Sequence, residues 1–225
     1  MIPNTFPRNI LSFSFISYTI LLGGIIFLTS CSATRSGSAT KKLTNRFDSE
    51  QYKLITASDT LSPMRVWKIT NTADSLLLRK KSERVIPNQS DPVLDHFVKR
   101  LLVTVRDSMS LGVGIAAPQV GILKNIIWVQ RFDKEGFPFE VYLNPVIKKY
   151  TEKKQDCPEG CLSIPNRRAT TTNRAYAILI EYDKMDGSHE IEMIEDFTAV
   201  IFQHEIDHLH GILFLDHLEK ESKEK

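Results

Sequence analysis

The segment Gln203-His204-Glu205-Ile206-Asp207-His208 constrains this 225-residue chain more than any other. On a helix, positions four apart share a face, so His204 and His208 project side by side. Two imidazoles so placed can hold one divalent metal ion, leaving Glu205 beside it to move protons. The flanks predict a helix over 196–210. Phe197, Ala199, Val200 and Ile201 form an apolar lead-in, Asp196 can start the helix and Gly211 can end it. The plain alternative is a solvated helix with two surface histidines, and a third metal ligand would decide between them.

A catalytic metal site usually has three protein ligands and an open position. The longer pattern H-E-x-x-H-x-x-G-x-x-H is met at Gly211, but Phe214 stands where its last histidine belongs. Glu219 and Glu221 are acidic candidates in a charged tail. Upstream, Glu159-Gly160-Cys161-Leu162-Ser163 offers a thiolate that would complete a Cys/His/His set. Taken alone, Cys161 reads better as a small buried hydrophobe.

Three motifs stand in order: Gly112-Val113-Gly114-Ile115-Ala116-Ala117-Pro118-Gln119, then the Cys161 motif, then the His204 motif. Together they resemble the three signature motifs of peptide deformylases, over about 64–218. The resemblance implies an α+β fold with mixed or antiparallel sheets around a C-terminal H-E-x-x-H helix, and a Cys161 loop beside that helix. It implies Cys161, His204 and His208 as ligands of one divalent metal. The metal would be ferrous iron by resemblance. Zinc suits the same donors, and nickel or cobalt could substitute.

The reaction implied is removal of the formyl group from N-terminal formyl-methionine of peptides. A bound divalent metal lowers the pKa of its water to about 7. Glu205 would take that water's proton and return it to the leaving amine. The Gln119 side-chain amide and the Leu162 backbone N–H would donate to the oxyanion. Substrate would lie along Gly112, Val113 and Gly114 like an added strand, with Gly160 and Arg168 against it and Val200 near the methionine pocket. Arg168 reads almost equally well as a surface arginine. Glu159 would support the metal site, and whether Gln203 or Asp207 orients a ligand histidine stays open. The stretch 165–175 lacks a proline-arginine pair often found in the family, which bears on substrate preference more than on chemistry. The rival readings are a zinc endopeptidase and a non-catalytic binding module. His210 reads as a helix-end residue, and His96, His189 and His217 as surface residues.

The start of the chain addresses location. Arg8 precedes an apolar run over 10–28 that ends in Leu28-Thr29-Ser30-Cys31. This fits a secretory signal, and its ending resembles a bacterial lipobox with lipidation of Cys31. The expected organisation is a signal peptide over 1–30, a lipidated Cys31 with a Ser/Thr/Lys/Arg-rich tether over 31–50, and a catalytic domain over 51–225. Anchoring would place the enzyme in the cell envelope, facing the periplasm, with outer membrane as the working assignment. A transmembrane anchor and a cleaved soluble signal are the alternatives, and an internal start at Met64 would give a cytoplasmic form. The net charge of +2 gives no reason to expect nucleic acid. Cys157 and Cys161, in C-x-x-x-C spacing, suggest a disulfide competing with metal, against a plain loop thiol at 157.

The remaining pattern predicts an amphipathic helix over 91–109 and strands over 125–130, 139–143 and 146–153. A hairpin over 177–182 and 190–194 turns at Asp186-Gly187.

Overall fold

The computed structural model describes residues 47–108 and 112–223. All lie in the unit spanning 42–225. The expected signal peptide, Cys31 and most of the tether fall outside the described residues. Among the described residues, no helix is long and apolar enough to cross a membrane.

In chain order the elements are α1 (Ser49–Thr56), α2 (Thr72–Leu78), α3 (Pro92–Arg106), β1 (Gly114–Ala116), β2 (Ile126–Gln130), β3 (Phe139–Tyr150), β4 (Lys154–Cys161), β5 (Ile164–Ala175), β6 (Ala177–Asp183), β7 (His189–Glu195), α4 (Asp196–Leu209) and α5 (Phe214–Lys223). Five strands form an antiparallel sheet in the order β1-β2-β3-β6-β7, and β4 pairs with β5 as a separate hairpin.

The pleat of β2 explains the layers. Successive side chains point to opposite faces of a sheet. Ile126 and Trp128 pack with Phe97, Leu101 and Val105 of α3. Ile127 and Val129 pack with Phe202, Ile206 and Leu209 of α4. The sheet is therefore covered by α3 on one face and by α4 on the other, and β2 is buried on both. α3 follows its apolar period and starts where Asp91 accepts the Val93 and Leu94 N–H groups, with Pro92 in the first turn. It ends at Arg106, not at 109.

Four expectations need correction. The tether does not run to residue 50: Asp48 and Gln51 form a reciprocal cap that starts α1. The stretches 139–143 and 146–153 continue one sheet as expected but form a single strand that ends at Tyr150. Strand β3 runs through Pro145 by a bulge at which Asn144 takes a φ of 51°. The Cys161 region is the β4–β5 hairpin, not a loop. The charged tail is α5, whose Phe214 is buried and whose Leu215 and Leu218 pack against Ile164 and Leu213.

The segment before Met64 belongs to the domain. Ile55 is fully buried in the α3 core. The guanidinium of Arg100, itself buried, donates to the carbonyls of Leu54, Ile55, Ser62 and Pro63. A chain starting at Met64 loses all of these. Urea unfolding should show it less stable than a chain from residue 47 by about 3 kcal/mol or more. Equal stabilities would contradict this role for α1.

Candidate active site

Helix α4 carries most of the site. It is buried almost all round, and Gln203, His204, Glu205 and His208 are among its buried residues. Buried polar groups are costly unless they are paired, so each needs a partner. The helix ends as the sequence predicts: Gly211 has a φ of 73°, a conformation that glycine adopts without strain. It begins at Asp196, which itself takes a φ of 55°.

Hairpin β4–β5 delivers the third donor. Cys161 pairs with Ile164, so Leu162-Ser163 forms a two-residue turn at the hairpin tip. The Cys161 Sγ lies 3.2 Å from His208 Nε2. Donor atoms of Cys161, His204 and His208 all lie within 4.8 Å of one another. Metal–sulfur and metal–nitrogen bonds of about 2.3 and 2.0–2.1 Å place tetrahedral ligands roughly 3.5 Å apart. The three donors therefore fit one metal ion. The competing third ligands are engaged elsewhere. Glu221 accepts the Thr172 and Asn173 backbone N–H groups, and Glu219 pairs with Lys223; Phe214, which has no ligating atom, stacks on the His204 ring.

A buried chain of charges orients one of these ligands, His204. The His204 Nδ1–H donates to Glu159 Oε2 at 2.7 Å, which turns its other nitrogen toward the site. Arg174 grips Glu159 with two hydrogen bonds, at 2.8 and 3.0 Å, and donates to Asp207 at 2.6 Å. Asp207 also accepts from His217 Nε2 at 2.8 Å. The sequence reading missed Arg174 and placed His217 on the surface; the structure puts both in this chain. Gln203 does not orient a ligand. It bonds the backbone N–H and carbonyl of Ala175, fixing β5 to α4. His189 is exposed, as expected; His96 is half-buried, its Nε2 2.9 Å from the Ser58 carbonyl, and His210 caps the end of α4.

The electrostatics follow. Burial works to raise the Cys161 thiol, but His208 and His204 overcome it and bring it down to about 5. It is therefore a thiolate at neutral pH, the form that binds metal. Burial opposes charge on His204, yet Cys161 and Glu159 hold its pKa well above the usual value. Negative surroundings that favour a proton there also favour a divalent cation on the three donors. Glu159 is buried, yet bonds from His204 and Arg174 keep it well below the usual carboxylate range. Burial lifts Glu205 to about 7 against the pull of His204 and His208.

Glu205 Oε2 is buried without a protein hydrogen-bond partner, as a group that handles a proton in the cleft would be. Its other oxygen explains a glycine. A Cβ on Gly114 would come within 2.6 Å of Glu205 Oε1 and 2.8 Å of Ile201. Gln119, also buried, is oriented by its own backbone. Its Oε1 accepts the Ala116 N–H at 2.8 Å, so its Nε2 points to Cys161 Sγ at 3.5 Å and Ser163 Oγ at 3.3 Å.

Gln119, Glu159, Cys161, His204 and Glu205 line one cleft of about 790 Å³, together with Gly112, Val113, Gly114, Gly160, Leu162, Arg168 and Val200, while His208 is buried outside its lining. Lys68 also lines the cleft, as do Phe197 and Ile201, which the sequence offered only as part of the apolar lead-in of the helix. Cys157 is buried, and both it and Cys161 are free thiols. They sit on one extended strand, four residues and roughly 13 Å apart. A disulfide needs Cα atoms within about 7 Å, so a Cys157–Cys161 bridge cannot form in this fold, and the alternative of a plain thiol at 157 holds.

A model of the polypeptide deformylase family matches residues 66–224. The peptide deformylase of Desulforudis audaxviator is 40% identical over 162 residues, covering 68% of this chain and 94% of that protein. Peptide deformylase 1 of Clostridium perfringens is 38% identical over 149 residues, covering 64% and 92%. The Met-Ala-Ser-bound class I type b peptide deformylase of Acinetobacter baumannii superposes with a TM-score of 0.59 at 30% identity, covering 69% and 98%.

Because Glu159 sets the orientation of His204, Glu159→Ala should weaken metal binding by roughly 10–100-fold. Competition against a chromophoric chelator measures this. Unchanged affinity would remove Glu159 from the site's support.

Proposed function

The chain belongs to the polypeptide deformylase family, and we infer that it removes the formyl group from N-terminal formyl-methionine of peptides by metal-dependent hydrolysis. The observation that carries this reading is the convergence of Cys161, His204 and His208 donors beside buried Glu205 and inward-pointing Gln119. A divalent ion on those three donors supplies Lewis acidity, which makes a hydrolytic nucleophile available near neutral pH.

The chain's own residues do the rest. Glu205, through Oε2, accepts the proton released as the nucleophile forms and delivers it to the departing amine. The Gln119 amide and the Leu162 backbone N–H donate to the carbonyl oxygen as it gains charge. Strand β1 is an edge of the five-stranded sheet, paired on one side by β2. Its Gly112–Gly114 approach therefore offers backbone groups to an extended peptide. Val200, with Phe197 and Ile201, gives the cleft an apolar wall for the methionine side chain. The donor set of one sulfur and two nitrogens suits ferrous iron, by family resemblance, and zinc. In an oxidising envelope, zinc gains ground.

Formate release from formyl-Met-Ala-Ser tests the reading. Protein loaded anaerobically with iron, and separately with zinc, should release formate, and Glu205→Ala should lose roughly 10²–10⁴-fold in rate with metal still bound. Full activity in that variant would overturn the role of Glu205.

We further propose that the chain is exported and anchored through Cys31. Support comes from the apolar run over 10–28 and its Leu-Thr-Ser-Cys ending. A product starting at Met64 would lack Ile55 and the carbonyls that hold Arg100, which counts against the cytoplasmic alternative. Expressed in a bacterium, the full chain should sediment with membranes and carry acyl mass on an N-terminal Cys31, and Cys31→Ser should abolish both. A soluble product retaining residues 1–30 would overturn the proposal.

A further inference from the structure

Lys68, Arg167 and Arg168 rim the cleft. All three are exposed, and among the described residues none of their side chains has an acidic partner. The acids of the same cleft do not balance them. Glu159 is locked to Arg174 and His204, and Glu205 is buried against Gly114. The mouth is thus positive, in a chain whose overall charge is close to neutral.

The fold ties the backbone that carries these cations to the segments of Gln119 and Cys161. Lys68 is fixed on both sides: the Trp67 N–H donates to the Gln119 carbonyl at 2.7 Å and the Ile69 N–H to the Ser163 carbonyl at 3.0 Å. Arg167 lies in a bulge. Cys161 pairs with Ile164 and Gly160 with Arg168, so β5 carries the extra residues 165–167 where β4 carries none. Asn166, with a φ of 59°, turns the backbone there. Bulges beside active sites re-aim side chains. Arg168 lies over Gly160, where an added Cβ would come 3.2 Å from its Cγ.

We propose that this rim makes the enzyme select formyl-methionyl peptides bearing carboxylates just after the methionine, either acidic side chains or the C-terminal carboxylate of a short peptide. The inference rests on the deformylase reading and adds a substrate class to it. A single exposed ion pair is weak and is screened by salt, so three together should shift kcat/KM on the order of tenfold. Attraction at the mouth acts mainly on capture and should fade as salt rises.

The test uses the metal-loaded full chain with formyl-Met-Ala-Glu-Glu-amide, formyl-Met-Ala-Ser-Ser-amide and formyl-Met-Ala-Lys-Lys-amide, at low salt and at ~0.5 M salt. A second pair, formyl-Met-Ala-Ser as acid and as amide, separates the two carboxylate sources. The acidic peptide, or the free-acid form, should lead its counterpart by about tenfold at low salt, with the gap closing at high salt. Lys68→Glu with Arg167→Glu should reverse the order, and Lys68→Arg with Arg167→Lys should keep it. Equal kcat/KM values across both sets would overturn the proposal, whether or not the charge-reversed variant folds. No formate from any peptide would instead be a failure of the deformylase reading. Calorimetric binding of the same peptides without formyl then decides for the rim: tighter acidic peptides support it, and equal affinities overturn it.

Discussion

The buried bidentate pair between Arg174 and Glu159 is the constraint on which the site depends. It joins β5 to β4 beneath the cleft, and each partner reaches α4: Glu159 to His204, Arg174 to Asp207. His217 extends the same chain to α5. Without it, none of these contacts would set the His204 ring against the hairpin. Removing one member leaves the others as buried, partly unpaired charges, which costs several kcal/mol in typical proteins. The network therefore belongs to the stability of the domain as well as to the geometry of its donors.

The second constraint is steric. Glu205 needs a low-dielectric setting to hold a proton near neutral pH, and that setting is built by bringing β1 against α4. Only a residue without Cβ fits at 114, because the Glu205 carboxylate occupies the space a methyl group would take. Across the cleft, Gln119 is pinned through its oxygen to its own backbone, so its donor end has one direction to face. The reacting groups are thus fixed by partners that do no chemistry themselves.

Much of this was legible in the sequence, for local reasons. Helix α3 follows a 3.6-residue apolar period, helix α4 carries its two histidines four apart between Asp196 and Gly211, and the turns at Gly187 and Gly211 use positive φ. The donors Cys161, His204 and His208 were readable once three motifs were taken together. What escaped reading is what depends on distant partners. Strand β5 is rich in polar residues and begins with Ile164-Pro165, so its identity comes from pairing with β4 and from Gln203, not from its pattern. Arg174 carried no local signal; only the fold brings it to Glu159. Helix α5 looked like a solvated tail because its charges mask Phe214, Leu215 and Leu218. Between a Cys157–Cys161 bridge and a plain thiol at 157, spacing alone could not choose; an extended strand turns that spacing into separation and leaves the plain thiol.

The central claim is that Cys161 shares one metal with His204 and His208. X-ray absorption at the metal edge of purified, metal-loaded protein tests it most directly. The account predicts one sulfur neighbour at about 2.3 Å and two imidazole nitrogens at about 2.0–2.1 Å. With Cys161→Asp, the sulfur contribution should vanish while the two nitrogens persist. A coordination shell without sulfur in the unaltered protein would contradict the ligand set, and with it the mechanism built around it.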